Sequence, residues 1–96
     1  ENLVRDTAVE TNALFTLDSV EALPAGMMSE DIAEIVNVHA QNQKDFVDAY
    51  FEKDKVKLCR VFCNDPAVQR IGREKGEKLF YEMVKANRDC LEGFLK

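Results

Sequence analysis

The stretch SEDIAEIVNVHAQNQKDFVDAY, Ser29 to Tyr50, decides how this chain folds. Ser29 is placed to cap a helix, and Glu30 and Asp31 put negative charge in its first turn, where the helix dipole favours it. Ile32, Ile35, Val36, His39, Gln43, Phe46, Val47 and Tyr50 recur at steps of three and four. That spacing predicts one helix of about five turns with a single inward stripe. Glu34, Gln41, Lys44 and Asp48 fall on the opposite face.

Upstream, Pro24, Ala25 and Gly26 break the chain. Before the break, Val9, Thr11, Ala13, Phe15 and Leu17 alternate with Glu10, Asn12 and Thr16, the period of a half-buried strand from Thr7 to Leu17. Asp18 and Ser19 punctuate it, and Val20 to Leu23 returns as a second strand, giving a hairpin. Two strands alone are marginal in water, so the hairpin's apolar face needs a cover.

Downstream, Lys53 and Asp54 mark a turn. Val56 to Cys63 is apolar nearly all round, as for a short buried helix. Asn64-Asp65-Pro66 restarts the chain, with Asp65 as N-cap and Pro66 at the first helical position, where a missing N–H costs nothing. Ala67, Val68 and Ile71 give one or two turns closed by Gly72. A last helix is expected from about Glu74 to Leu91, burying Leu79, Phe80, Met83, Val84, Asn87 and Leu91, with Gly93 as terminator. The fold class is mainly α: a β-hairpin segment over residues 1–26, then three to four packed helices over residues 27–96.

Ninety-six residues make at most one small domain. The chain opens at Glu1 without an initiator Met and in mid-pattern, so the expectation is a piece of a longer polypeptide. A net charge of −5, with bases interspersed among acids, disfavours duplex nucleic acid and anionic membrane surfaces. No apolar run approaches the roughly 20 residues that cross a bilayer. Three cysteines are too few for a disulfide framework and read as reduced thiols in a cytoplasmic protein.

His39 and Gln43 interrupt the apolar stripe, with Asn42 beside them. Either each finds a hydrogen-bond partner inside the fold, or the helix faces a cleft completed by other sequence. Glu10 and Asn12, on the polar side of the strand, either orient a ligand hydroxyl or meet solvent. Cys59 and Cys63, at i and i+4, are compatible with a metal pair, but the ligand spacing of structural zinc is missing and core packing is the expected role. The four glycines are scattered, so no dinucleotide or phosphate loop is present, and there is no nucleophile elbow.

Val9-Glu10-Thr11-Asn12-Ala13-Leu14-Phe15, then Asp18-Ser19-Val20, Ala25-Gly26, His39-x-x-Asn42-Gln43 and Asn64-Asp65-Pro66 resemble, in that order, the end of glycoside hydrolase family 4. The likeness runs from about Asn2 to Leu91-Glu92-Gly93-Phe94 and is nearest the alpha-galacturonidase branch, beside alpha-galactosidases and alpha-glucosidases. Cys59, Cys63 and the polar Gly72–Gly76 entry to the last helix depart from the pattern.

The resemblance implies the C-terminal piece of an α+β substrate domain in a Rossmann-type enzyme using NAD and manganese. In such enzymes the sugar is oxidised at carbon 3, a base removes the proton at carbon 2, and the glycosidic bond leaves by elimination. It further implies that nucleotide loop, metal ligands and catalytic base lie upstream, that this chain has no catalytic machinery of its own, and that the parent is a homo-oligomer. His39, Asn42 and Gln43, then Glu10 and Asn12, are the candidates nearest the alpha-glycoside. The competing reading is a small acidic helical interaction or oligomerisation module working through the Ile32–Tyr50 stripe.

Overall fold

The computed structural model describes residues 2–91 and Gly93, so Glu92 and Phe94 of the family-like ending lie outside the described residues. Its elements are β1 (Ala13–Phe15), β2 (Val20–Ala22), α1 (Glu30–Phe51), α2 (Lys55–Asn64), α3 (Pro66–Gln69) and α4 (Arg73–Ala86), followed by a single 3₁₀ turn at Arg88–Cys90. This is the mainly helical chain with an N-terminal hairpin that the sequence predicts. Two compact units divide between Gln41 and Asn42, within α1.

In the first unit, β1 and β2 pair antiparallel with Ala13 opposite Ala22, Leu14 opposite Glu21 and Phe15 opposite Val20. Thr16 closes the turn: its hydroxyl lies 2.9 Å from the Ser19 hydroxyl, and its N–H donates to the Ser19 carbonyl. The strand expected from Thr7 to Leu17 is realised over only three residues, because a strand needs a paired neighbour and β2 reaches no further. Its apolar face is mostly open: Phe15 is 75 % exposed, Val9, Leu17 and the paired Val20 are exposed as well, and Ala13 alone is half-buried.

α1 begins at Glu30 with Glu30 and Asp31 in its first turn, and the Ser29 carbonyl accepts from the Ala33 N–H at 2.8 Å as the first backbone bond of the helix. In this unit its buried residues are Ala33 and Ala40, with Val36 and Asn37 half-buried, while Ile32, Ile35 and Val38 stay exposed, Ile35 at 66 %. The expected stripe of large side chains is therefore corrected for Ile32 and Ile35, while Val36 keeps a half-buried place. Asn37 receives the Val4 N–H on its Oδ1 at 2.8 Å and donates from Nδ2 to the Asn2 carbonyl at 3.1 Å. Asn2 in turn clasps Met28, donating to its carbonyl and accepting its N–H, both at 2.9 Å. Small residues and one amide let a polar backbone segment bond alongside the helix, a role large aliphatics cannot fill.

The second unit holds the core. Ala49 at 0 % exposure, Leu58, Cys59 and Phe80 are its buried centre, with Phe46, Phe62, Cys63, Val84 and Leu91 packed against it. Lys53, at φ 57°, turns the chain out of α1, and the Asp54 carboxylate caps α2 by accepting the Lys57 N–H at 2.9 Å. α2 buries Leu58, Cys59 and Val61 but not Val56, so it is amphipathic rather than apolar all round. Asp65 caps α3 through the Ala67 N–H, and Pro66 occupies its first turn as expected.

Gly72, at φ 83°, makes the left-handed link to α4, a conformation that needs glycine. α4 stops at Ala86 rather than near Leu91: the Asn87 N–H and side-chain amide both donate to the Met83 carbonyl, ending the helix six residues before Gly93. Phe80 and Gly76 are its buried residues, while Leu79 and Met83 are exposed. Gly76 lets α4 approach its neighbours, since a Cβ there would meet Val68 Cγ1 at 2.9 Å and Cys63 Sγ at 3.3 Å.

Candidate functional site

Gln43, singled out with His39 because it interrupts an apolar stripe, and Asn42 beside it line one groove of about 570 Å³ in the second unit. Phe46 and Val47 from α1, Phe62 from α2, Asp65 at the α2–α3 junction and Val68 from α3 complete it. Asn42 is half-buried and Gln43 exposed, so neither is a core amide needing an internal partner. Each presents a donor and an acceptor, the pairing that meets sugar hydroxyls. Phe62 and Phe46 supply an aromatic, apolar floor.

Asp65 is the residue that sequence reading understood only in part. Its Oδ1 is committed to the Ala67 N–H at 2.8 Å, the cap expected from Asn64-Asp65-Pro66. The same residue also lines the groove of Asn42 and Gln43. The motif carried that signal only as a helix start, since 22 residues separate Asp65 from Gln43 in the chain.

The other candidates lie elsewhere. His39 is exposed and is not among the residues lining this groove. The expectation that His39 and Gln43 sit on an inward face is corrected for both, because the helix buries its alanines instead. Glu10 and Asn12 are exposed in the first unit, with the Asn12 carbonyl accepting the Leu23 N–H at 2.8 Å.

Cys59 is buried and Cys63 half-buried, so packing is their role. Burial pushes the Cys59 thiol up, and the neighbouring Cys63 adds to the effect through its charge and a hydrogen bond. A thiol held protonated is a poor nucleophile and a poor metal ligand. Among the described residues no three His, Cys, Asp or Glu side chains gather as a metal set. A second, almost wholly apolar groove of about 290 Å³ runs between Phe46, Tyr50, Phe80, Met83 and Leu91, with Asn87 and Cys90 on its lining.

The family model described as "Family 4 glycosyl hydrolase C-terminal domain" matches residues 1–68. An alpha-galacturonidase of Thermoanaerobacter italicus is 35 % identical over 98 % of this chain and 21 % of its own length. Alpha-galacturonidases of Lachnoclostridium phytofermentans and Bacillus subtilis are each 34 % identical, over 95 % and 88 % of this chain and 20 % and 19 % of theirs. The chain thus spans about a fifth of the length of the curated relatives it matches. No solved structure matches it.

Proposed function

Because the chain belongs to the family of C-terminal domains of family 4 glycosyl hydrolases, we propose that it completes the substrate side of an enzyme that hydrolyses alpha-linked galacturonides or the related galactosides or glucosides. The observation that carries this reading is the likeness to alpha-galacturonidases along nearly the whole chain. The groove of Asn42 and Gln43 supports it by offering amide donors and acceptors beside aromatic carbon. Asp65 on that groove repels a carboxylate, so the wall suits the hydroxyl edge of a sugar rather than a uronate's acid group. His39, Glu10 and Asn12, all in the first unit, are the second-rank candidates for contact with the glycoside.

The NAD and manganese that the family implies belong to the remaining polypeptide in this reading, and the residues present here do not fit either group. His39 is not gathered with other donors, the Cys59 thiol is packed in the core, and the left-handed glycines Gly26 and Gly72 stand singly at chain breaks. No step of the reaction is therefore derived through them. The 96 residues alone are inactive, and the parent is a cytoplasmic homo-oligomer. No helix among the described residues is long and apolar enough to cross a membrane.

An assay of the full polypeptide carrying this chain tests the reading. Hydrolysis of an alpha-galacturonide is expected to vanish in a chelator and to return only with added NAD and manganese. Full turnover in the chelator without nucleotide would overturn it. In the same protein, Asn42→Ala and Gln43→Ala are expected to raise KM by about two- to tenfold each, the loss of one hydrogen bond, while leaving kcat near its starting value.

The competing reading, an interaction module, draws on the exposed Ile32, Ile35 and Val38 in the first unit and Val47, Tyr50 and Phe51 in the second. Apolar surface of this kind needs covering. An enzyme of five times this length supplies cover as readily as a separate partner does, which is why the enzyme reading absorbs the observation.

A further inference from the structure

The hairpin shows a mismatch between pattern and pairing. Strand alternation in the sequence runs from Val9 to Leu17, yet only Ala13, Leu14 and Phe15 pair, and residues 7–12 carry no strand. The hydrogen bonds fix which way the backbone faces. Thr16 N–H donates to the Ser19 carbonyl at 2.9 Å and Leu23 N–H to the Asn12 carbonyl at 2.8 Å, so 16/19 and 12/23 are bonded pairs, with 14/21 between them by alternation. The N–H and C=O groups of Ala13 and Phe15 therefore point away from β2, and no other strand among the described residues meets them.

The two outer edges differ. On β2 the outward positions run Val20, Ala22 and then Pro24, whose ring has no N–H to give. On β1 the outward positions run back from Phe15 and Ala13 through Thr11 to Val9 without a proline. The pairs Ala13–Ala22 and Phe15–Val20 also make one face of the ribbon wholly apolar, and Phe15 and Val20 on it are exposed. The β2 edge offers Val20 and Ala22 and then loses a donor at Pro24, whereas the β1 edge runs on to Val9 without interruption, beside an apolar face too narrow to be stable alone.

We propose that the outer edge of β1, from Val9 to Phe15, receives an extended strand from the part of the parent polypeptide outside these 96 residues. This rests on the enzyme reading above, in which about four-fifths of the relatives' length lies beyond the matched region. The incoming strand bonds the outward backbone groups of Thr11, Ala13 and Phe15. It carries apolar side chains at alternate positions, widening the Ala13, Phe15, Val20 and Ala22 face into part of a sheet. Residues 7–12 then become the strand that their sequence specifies.

Amide hydrogen exchange, read residue by residue in the full polypeptide and in the 96-residue chain alone, tests this. The Thr11, Ala13 and Phe15 amides are expected to exchange at least about tenfold more slowly in the full polypeptide, with those of Val20 and Ala22 changed less. Equal exchange in the two proteins overturns the proposal while leaving the enzyme reading to its own assay of NAD- and manganese-dependent hydrolysis. Protection already present in the 96-residue chain, together with a dimer by light scattering, assigns the edge to a second copy and also overturns it. So does a mature polypeptide no longer than these 96 residues.

Discussion

Gly76 is the point at which a single methyl group decides helix packing. Alanine in its place adds about 1 kcal/mol of helix propensity, but its Cβ would stand 2.9 Å from Val68 Cγ1, and a β-branched side chain cannot swing aside. Gly76→Ala is expected to lower stability by about 1 kcal/mol net, measured by urea unfolding, and Val68→Ala in the same chain should recover part of the loss by making room. Simple additivity of the two changes would contradict the proposed clash. Cys59 offers a second test at this scale. Its thiol is pushed up in the fold by burial and by Cys63, so above the ordinary thiol range the unfolded chain releases a proton that the folded chain keeps. Stability present below about pH 8.5 is then lost as pH rises through the folded value. Urea midpoints should fall as pH rises above about 8.5, and Cys59→Ala should flatten that fall whatever it does to stability at pH 7.

At the scale of elements, the sequence was most readable where one residue has one local duty. Asp65 and Pro66 start α3, Gly72 ends that turn, and Glu30 and Asp31 open α1, each through bonds and charges within a few residues. The buried face of α1 was not readable in the same way. Periodicity gives weight to large side chains, so it chose Ile32 and Ile35, whereas burial falls on Ala33, Ala40 and Ala49. What selects the alanines in the first unit is a polar segment distant in sequence, tied through Asn2 and Asn37. Removing that tie gives the element-scale test. Asn37→Ala strips two hydrogen bonds and leaves the Val4 N–H without its acceptor, which should cost about 1–3 kcal/mol. It should also speed exchange of the Val4 amide while amides around Ala49 and Leu58 keep their rates; uniform loosening of both regions would count against a local role. The groove was half legible: Gln43 stood out as an amide in an apolar stripe with Asn42 beside it, but Asp65 joins them only through the turn after α2.

For the molecule as a whole, the exposed apolar residues carry the argument. Phe15, Leu17, Val20, Ile35, Phe51 and Val56 lie open on a chain with net charge −5, and acidic side chains keep such a surface soluble without covering it. Under the reading proposed above, those residues are the surface that the rest of the parent enzyme covers. The most direct measurement compares hydrolysis of an alpha-galacturonide by the full polypeptide with and without these 96 residues. Their removal is expected to cut the rate by at least about a hundredfold, because a substrate wall displaced by even 1 Å costs that much, and adding back the purified 96 residues should restore part of it. An unchanged rate after their removal would contradict the account.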